Sequence, residues 1–197
     1  MQLCLEEASD GVTEIEHEKV FYATIESSAI LAKASSKEYQ EQYQVDIPKT
    51  DFNQQGGRIR VRATTKDDGN PTYVLTIKIK SSDKLSDAET SMITTKDQFD
   101  QFKLIATNGM VKTRYVYPIP GQTEVWEVDV FPLQSGSSKG KNANWCKIDY
   151  EFKDPNKREI PPLPDGFNDV IPGDTQDPEE RAFITNLYEK IFLFKLV

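Results

Sequence analysis

The stretch GGRIRVRATTKDDGNPTYVLTIKIK, residues 56–80, decides how the whole chain is interpreted. Successive side chains of a β-strand point to opposite faces, so residues two apart share a face. The run DDGNP between the two halves is typical of a turn. The stretch therefore predicts an antiparallel hairpin with one apolar and one basic face. The basic face carries five side chains: Arg58, Arg60, Arg62, Lys78 and Lys80.

Charged residues at alternate positions recur along the rest of the chain. The acidic sets are Glu14, Glu16 and Glu18; Glu127 and Asp129; and Asp149 and Glu151, while Lys112 and Arg114 form a further basic pair. A solvated face of a half-buried sheet is the plain explanation for one such strand. Such a face normally mixes signs, whereas each of these sets has a single sign. Like charges on one face repel unless a ligand neutralises them, so we expect an enclosed site with these faces inside.

Alternation of this kind predicts more strands than helices. We expect eight strands at residues 12–22, 39–47, 57–64, 72–80, 86–93, 110–118, 123–131 and 146–153. Helices are expected at 24–37, at 95–106 with a capping box from Thr95 to Gln98, and at 178–192. The predicted fold class is α+β, mostly antiparallel β, with the eight strands closed into a barrel that has flanking helices.

A chain of 197 residues is expected to form a single domain, 1–197. Its strand core would span about 12–153. Residues 134–144 are expected to form a loop, and the proline-rich stretch 154–177 to wrap the domain before the last helix.

Composition excludes several classes of function. A net charge of -8 argues against a nucleic-acid-binding outer surface. The apolar runs are too short for a membrane span, and the N-terminus lacks the pattern of a secretory signal. Two cysteines without metal-ligand spacing favour a reduced, cytoplasmic setting. A single histidine gives a nucleophilic triad no support, and no phosphate-binding glycine loop follows a strand.

The two kinds of charged strand suit complementary parts of one ligand. Arginine and lysine bind phosphate oxygens through guanidinium forks and ammonium charge. Clustered carboxylates suit Mg²⁺ or Mn²⁺, hard cations that bridge to phosphates. A closed barrel lined in this way would hold a metal–triphosphate complex in its interior.

In their order along the chain these motifs resemble the CYTH domain, or triphosphate tunnel metalloenzyme, superfamily. EIEHEK at 14–19 is similar to the family's ExExK strand, and GRIRVR at 57–62 to its RxRxR strand. YVLTIKIK, KTRYVYP, WEVDVF and KIDYEF follow in the family's order. The family includes inorganic and thiamine triphosphatases, class IV adenylate cyclases and tunnel-type RNA 5′-triphosphatases.

The resemblance implies metal-dependent hydrolysis of the terminal phosphate of an inorganic, nucleoside or other organic triphosphate inside a β-tunnel. It implies Mg²⁺ or Mn²⁺ as cofactor and a small-molecule triphosphate or polyphosphate as ligand. An RNA 5′-triphosphate end is the weaker option for the ligand. The chain would work as a monomer or a homodimer. The implied phosphate-binding residues are Arg58, Arg60, Arg62, Lys78, Lys80, Lys112 and Arg114. The implied metal ligands are Glu14, Glu16, Asp129, Asp149 and Glu151, with Glu127 a weaker candidate. Catalysis would rest on Glu14, Glu16, Arg58, Arg60, Lys78, Lys80 and Arg114.

Two positions depart from the family pattern. Glu18 stands where ExExK has its lysine, and Lys19 follows one place late. Strict alternation directs Glu18 inward and Lys19 outward, unless a β-bulge changes the phase. Glu89 is followed by Ser91 where the family often has a second acid. Two alternatives therefore stay open: a nucleotidyl cyclase, and a non-catalytic module that binds polyphosphate, nucleotide or a triphosphate RNA end.

Overall fold

The computed structural model describes residues 12–16, 18–25, 28–49, 56–66, 69–80, 87–132, 145–153, 159–189 and 194–195. The strands are β1 (Val12–Glu16), β2 (Glu18–Ile25), β3 (Ser36–Ile47), β4 (Gly57–Lys66), β5 (Thr72–Lys80), β6 (Asp87–Thr94), β7 (Asn108–Pro118), β8 (Val125–Val130), β9 (Trp145–Glu151), β10 (Phe167–Pro172) and β11 (Phe194–Lys195). The helices are α1 (Ser28–Leu31), α2 (Lys96–Lys103) and α3 (Pro178–Leu187).

All of these strands belong to one antiparallel sheet, which confirms the α+β class with mostly antiparallel pairing. The strand order is β1-β6-β5-β4-β3-β7-β8-β9-β2-β10, and β11 pairs with β7. This is an eleven-stranded sheet rather than an eight-stranded one. The predicted strand 12–22 is divided into β1 and β2, which lie near opposite ends of the order although one residue separates them. No pairing joins the two ends of this order within the described residues.

The hairpin of residues 57–80 forms as predicted. Arg58 lies opposite Lys78, and the pairing runs on to Thr64 opposite Thr72. Gly57 permits the close approach of the two strands at the start of β4. A Cβ atom at this position would lie 2.4 Å from the carbonyl oxygen of Lys78, a distance that only glycine avoids.

The helices are shorter than their sequence patterns indicate. The capping box of α2 is present: the backbone N–H of Gln98 donates to Thr95 Oγ1, and the backbone N–H of Thr95 donates to Gln98 Oε1. Of the helix predicted over 24–37 only α1 at Ser28–Leu31 forms, because β2 continues to Ile25 and β3 begins at Ser36. Thr24 pairs with Trp145 of β9, and such β-branched residues fit a ladder better than a helix.

The apolar faces of the strands point away from the charged ones and are covered by the helices and the C-terminal segment. Phe99 of α2 packs on Tyr43, Val61 and Ala63 of β3 and β4. A second cluster around Trp126, Val128, Ile148 and Tyr150 lies under Ile30, Ile160 and Phe167. Complete burial of one such side chain contributes about 1.5–3 kcal/mol to the free energy of unfolding.

The C-terminal segment adds the strands β10 and β11, which the sequence pattern does not predict, on either side of the predicted helix. β10 pairs with the edge of β2 through an irregular register, and Asp169 there has a φ of 50°. α3 begins at an Asp177 cap and packs on Tyr22, Met110, Phe131 and Trp145. Within the described residues, none of the helices combines the length and apolar character that a membrane crossing would need.

Candidate functional site

The charged faces of the strands surround a cavity of about 1040 Å³. Side chains from β2 to β9 line it, together with residues around β10 and α3. Eight of the described lining side chains are cationic and seven are anionic, so both signs of charge line the cavity in nearly equal number. The cations are Lys19, Arg58, Arg60, Arg62, Lys78, Lys112, Arg114 and Lys147. The anions are Glu18, Glu89, Glu127, Asp129, Asp149, Glu151 and Asp174.

The three arginines of β4 form one wall of the cavity. Arg60 Nη2 donates a hydrogen bond of 2.9 Å to Glu89 Oε1. Arg62 has no ion pair within the described part of the chain, and its Nε is buried without a hydrogen-bond partner there. Burial, followed by the neighbouring charges of Arg60 and Arg114, lowers the pKa of Arg62 from its usual value. A guanidinium in this setting is stabilised by any anion that enters the cavity.

The opposite wall, built by β7, β8 and β9, is already neutralised. Arg114 donates to both oxygens of Asp129, from Nε over 2.7 Å and from Nη2 over 2.9 Å, and its Nη1 donates to Glu127. Lys112 Nζ donates to the same Asp129 Oδ2. Burial opposes ionisation of Asp129, but Lys112 and Arg114 outweigh it and hold the pKa of that carboxyl well below its usual range. Asp129 is thus the counter-ion of two buried cations.

Lys147 is a site residue that sequence reasoning missed. It lies opposite Asp129 in the pairing of β8 with β9, and its Nζ donates over 2.6 Å to Asp149 Oδ2. Burial alone lowers the pKa of a lysine, but Asp149 and the other nearby acids raise the pKa of Lys147. The expectation of a purely acidic face on this strand is therefore wrong. Alternation already showed the signal, since Lys147 is two residues before Asp149.

Lys78 of β5 lies between two carboxylates. Its Nζ is 4.0 Å from Glu18 Oε1 and 4.0 Å from Glu89 Oε2, and the residue is 5% exposed. Glu89 Oε2 is itself buried without a hydrogen bond to a described residue. Lys80, two positions further along β5, is exposed and is not one of the residues that line the cavity. The structure therefore separates two lysines that the sequence pattern treats alike.

The last two residues of the shifted ExExK motif, Glu18 and Lys19, lie on β2. Glu18 lies opposite Glu151 and lines the charged cavity, as strict alternation predicts. Lys19 lies opposite Tyr150, on the apolar face of β9, and its Nζ donates to Asp174 between β10 and α3. Both side chains border the cavity, but Glu18 faces the buried Lys78 whereas Lys19 is paired with Asp174.

The remaining predicted ligands are placed only in part. The side chains of Glu14 and Glu16 lie outside the described part of the structure, but the backbone of β1 puts Glu14 opposite Glu89. Glu151 lines the cavity as an exposed residue at the end of β9. Among the described residues, no group of three or more His, Cys, Asp or Glu has the arrangement of a metal site. Asp129 does not fit that role here, because both of its oxygens accept hydrogen bonds from cations.

Two glutamines of β3 also line the cavity. Because they are uncharged, the charge pattern of the sequence does not identify them as site residues. Gln42 and Gln44 are each 7% exposed, and both line the cavity. They lie opposite Arg62 and Arg60, respectively. Gln42 Nε2 donates a long hydrogen bond of 3.4 Å to Gln44 Oε1. Uncharged residues at alternate positions of YQEQYQVD could have indicated an inward-facing polar strand.

A family model described as the CYTH domain matches residues 13–165. The chain belongs to the CYTH domain family. The match spans β1 to β9 and the residues that lead to β10, while β10, α3 and β11 follow it along the chain. The charged residues on β2 to β9 that line the cavity therefore lie within the matched region of this CYTH domain. The helix α3, at one side of the cavity, lies beyond that region.

Solved structures give weaker likenesses to this CYTH domain. The PH1819 protein from Pyrococcus horikoshii OT3 is 20% identical, with a TM-score of 0.47, over 71% of this chain and 80% of its own. The inorganic triphosphatase NE1496 is 18% identical, with a TM-score of 0.43, over 82% of this chain and 89% of its own. No curated protein matches the chain significantly. Family membership rests on the family model.

Proposed function

We propose that this CYTH domain hydrolyses the terminal phosphate of a triphosphate held in the cavity, with a divalent metal ion as cofactor. The observation that carries the proposal is the unequal pairing of charge on the two walls. Lys112, Arg114 and Lys147 already have carboxylate partners. Arg62, by contrast, has none within the described residues. A polyanion bound against β4 supplies the missing charge, and triphosphates are the ligands of the CYTH family.

The proposed tunnel closes through the N-terminal segment. β1 pairs with β6 at one end of the strand order, and β2 pairs with β9 close to the other end. Only one residue separates β1 from β2, so in the proposed tunnel this segment would complete a ring of strands around the cavity. Enclosure removes bulk water from the ligand, and electrostatic interactions inside are then stronger.

Each wall has its own role in the proposal. Arg58, Arg60 and Arg62 bind the phosphate oxygens through their guanidinium groups, and Lys78 adds an ammonium charge. Arg114 and Lys112 are held in place and neutralised by Asp129, so the fixed cations that face the ligand are those of β4 and β5. Such preorganised charge stabilises the negative charge of phosphoryl transfer without a cost of reorientation.

The divalent cation would be held by Glu14 and Glu16 together with Glu89, which lies opposite Glu14. The buried Oε2 of Glu89 is an oxygen of the kind that Mg²⁺ or Mn²⁺ prefers. When bound, such an ion neutralises phosphate oxygens and polarises water. Asp149 and Glu151 stay predicted ligands on the facing strand.

Phosphate release tests the proposal directly. Inorganic triphosphate, ATP, GTP and thiamine triphosphate are each supplied with Mg²⁺ or Mn²⁺. We expect release from at least one of them, and Arg60→Met should reduce kcat/KM by about 10²-fold or more, as for the loss of one preorganised donor. Lys80→Met is the matched control, since this exposed lysine lies outside the cavity lining. Equal activity of Arg60→Met and the wild type contradicts the proposal.

A non-catalytic triphosphate-binding module is the second candidate, and the position of Lys19 favours it. Glu18 occupies the place of the motif's lysine, and Lys19 is engaged with Asp174 instead. Lys19 borders the cavity, but its charge is already neutralised by Asp174 and is not available to the ligand. A rise in Tm with inorganic triphosphate, without phosphate release under either metal, would support this alternative over the hydrolase.

A further inference from the structure

One end of the cavity is apolar, in contrast to its charged walls. Tyr22, Met110 and Phe131 are each no more than 7% exposed and belong to one cluster with Trp145 and Leu187. Tyr22, Met110, Phe131 and the adjacent Tyr188 also line the cavity. The cluster thus forms a floor, with α3 behind it.

This floor lies directly beside the buried ion network. Met110 is two residues from Lys112 on β7, and Phe131 is two residues from Asp129. Tyr22 lies opposite Lys147 in the pairing of β2 with β9. Residues i and i+2 of a strand face the same side and are about 7 Å from each other. The lining therefore changes from charged to apolar over about 7 Å.

Two amides border the floor on the side of the arginine wall. Gln42 lies between Arg62 of β4 and Met110 of β7 in the strand pairing, and Gln44 lies opposite Arg60. Paired strands are about 4.8 Å apart, so the amides are one strand away from the guanidinium groups. Their only hydrogen bond to each other within the described residues joins Gln42 Nε2 to Gln44 Oε1. That leaves Gln42 Oε1 as an acceptor and Gln44 Nε2 as a donor for a ligand.

An inorganic triphosphate makes no use of such a floor. It is charged along its whole length, and apolar surface offers it no hydrogen bond or counter-charge. The cavity of about 1040 Å³ is at the upper end of the range that encloses drug-sized organic ligands. A planar heteroaromatic group fits better, because its face stacks on aromatic side chains and its edge pairs with amides.

We propose that the floor formed by Tyr22, Met110 and Phe131, with the amides of Gln42 and Gln44, binds the base of a nucleoside triphosphate. Its phosphates then lie against Arg60 and Arg62. The inference rests on the proposed function only in taking the triphosphate to lie on the β4 wall. It names the substrate class of that site as organic and base-bearing rather than inorganic.

Discrimination between ATP and inorganic triphosphate tests this proposal. We expect the wild type to show a higher kcat/KM for ATP. In Gln42→Leu and Gln44→Leu the ratio of the two values should fall about tenfold, the effect of one hydrogen bond. Gln40→Leu is the matched control, on the same strand and facing the same side but absent from the cavity lining. It should leave the ratio unchanged, with Tm confirming that each variant is folded.

Preference of the wild type for inorganic triphosphate, or an equal fall for both substrates in the Gln42 and Gln44 variants, overturns the proposal. If no triphosphate is hydrolysed, the proposed function fails by itself, and calorimetric binding of ATP and inorganic triphosphate replaces kcat/KM. Tighter binding of ATP that depends on Gln42 and Gln44 then still supports the base site. Equal binding of both ligands overturns it.

Discussion

Glu18 Oε1 lies 4.0 Å from Nζ of Lys78, so the carboxylate at the motif's lysine position is the neighbour of a buried lysine from another strand. The second neighbour of that ammonium is Glu89, also at 4.0 Å. At this point of the cavity the positive charge therefore belongs to Lys78 of β5, and Glu18 of β2 is its acidic neighbour. This relationship makes Lys78 the first residue to test.

Lys78→Ala should lower both activity and stability. Glu18 and the buried Glu89 lose the charge between them, and a buried group left without its partner costs about 1–3 kcal/mol. Urea unfolding measures the change. Lys80→Ala is the control two positions away, and its exposed site should keep the free energy of unfolding within about 0.5 kcal/mol. A Lys78→Ala variant as stable as the Lys80→Ala variant contradicts the burial of this lysine.

Asp129→Asn should be among the most destabilising single changes in the cavity. It leaves Lys112 and Arg114 buried beside a neutral amide, and breaking a buried ion pair costs about 3–5 kcal/mol. Asp174→Asn removes the exposed partner of Lys19 and should cost no more than about 1 kcal/mol. Both are compared by denaturant unfolding. If the two losses are equal, Asp129 is not the counter-ion that its contacts indicate.

The free energy of unfolding of the domain should depend on pH in alkaline solution because of Lys112. Burial lowers the pKa of Lys112 to about 8 from its usual 10.5, although the charge of Asp129 opposes the shift. Between these two values the unfolded chain binds more protons than the folded one. The contribution of Lys112 to the free energy of unfolding therefore rises with pH, by at most about 1.4 kcal/mol per pH unit.

Lys112→Met provides the reference for this measurement. The free energy of unfolding of the wild type minus that of the variant should increase from pH 8 to pH 10. A difference that stays constant over this interval would show that Lys112 titrates equally in both states.

Phe99→Ala should detach α2 from the outer face of the sheet. Phe99 is 3% exposed and contacts the rings of Tyr43 and Tyr73, with centroids 5.7 and 5.3 Å away. Truncation of such a core aromatic costs about 3–5 kcal/mol. Leu104→Ala, at an 85% exposed position just after the helix, is the control and should be nearly neutral. Thermal unfolding of the two variants distinguishes a buried anchor from a surface residue.

Alternation alone predicts the faces of the sheet. β5 occupies residues 72–80 as predicted, and Arg58, Arg60, Arg62 and Lys78 share the cavity because a strand repeats every two residues. The same rule reaches Lys147, since this lysine is two residues before Asp149. It fails for Lys80, because the pattern does not show where β5 leaves the enclosed part of the sheet.

The pairing of charges cannot be obtained from the pattern. Arg114 and Asp129 share a row only because β7 and β8 align in one register, which depends on the turn between them. β10 escapes prediction for a similar reason. It is short, irregular in register and follows a proline-rich stretch, so its pairing depends on the free edge of β2 rather than on its own alternation.

The placement of the N-terminal segment has a consequence for the synthesis of the chain. β2 is synthesised well before its neighbour β9, since Thr24 pairs with Trp145, and Glu18 with Glu151. At 5–20 residues per second, the intervening chain takes on the order of ten seconds to appear. During that time β2 has an unpaired edge, which is the feature of a strand that invites association with other chains. The hydrogen bonding of β2 is therefore complete only once β9 and β10 have both been made.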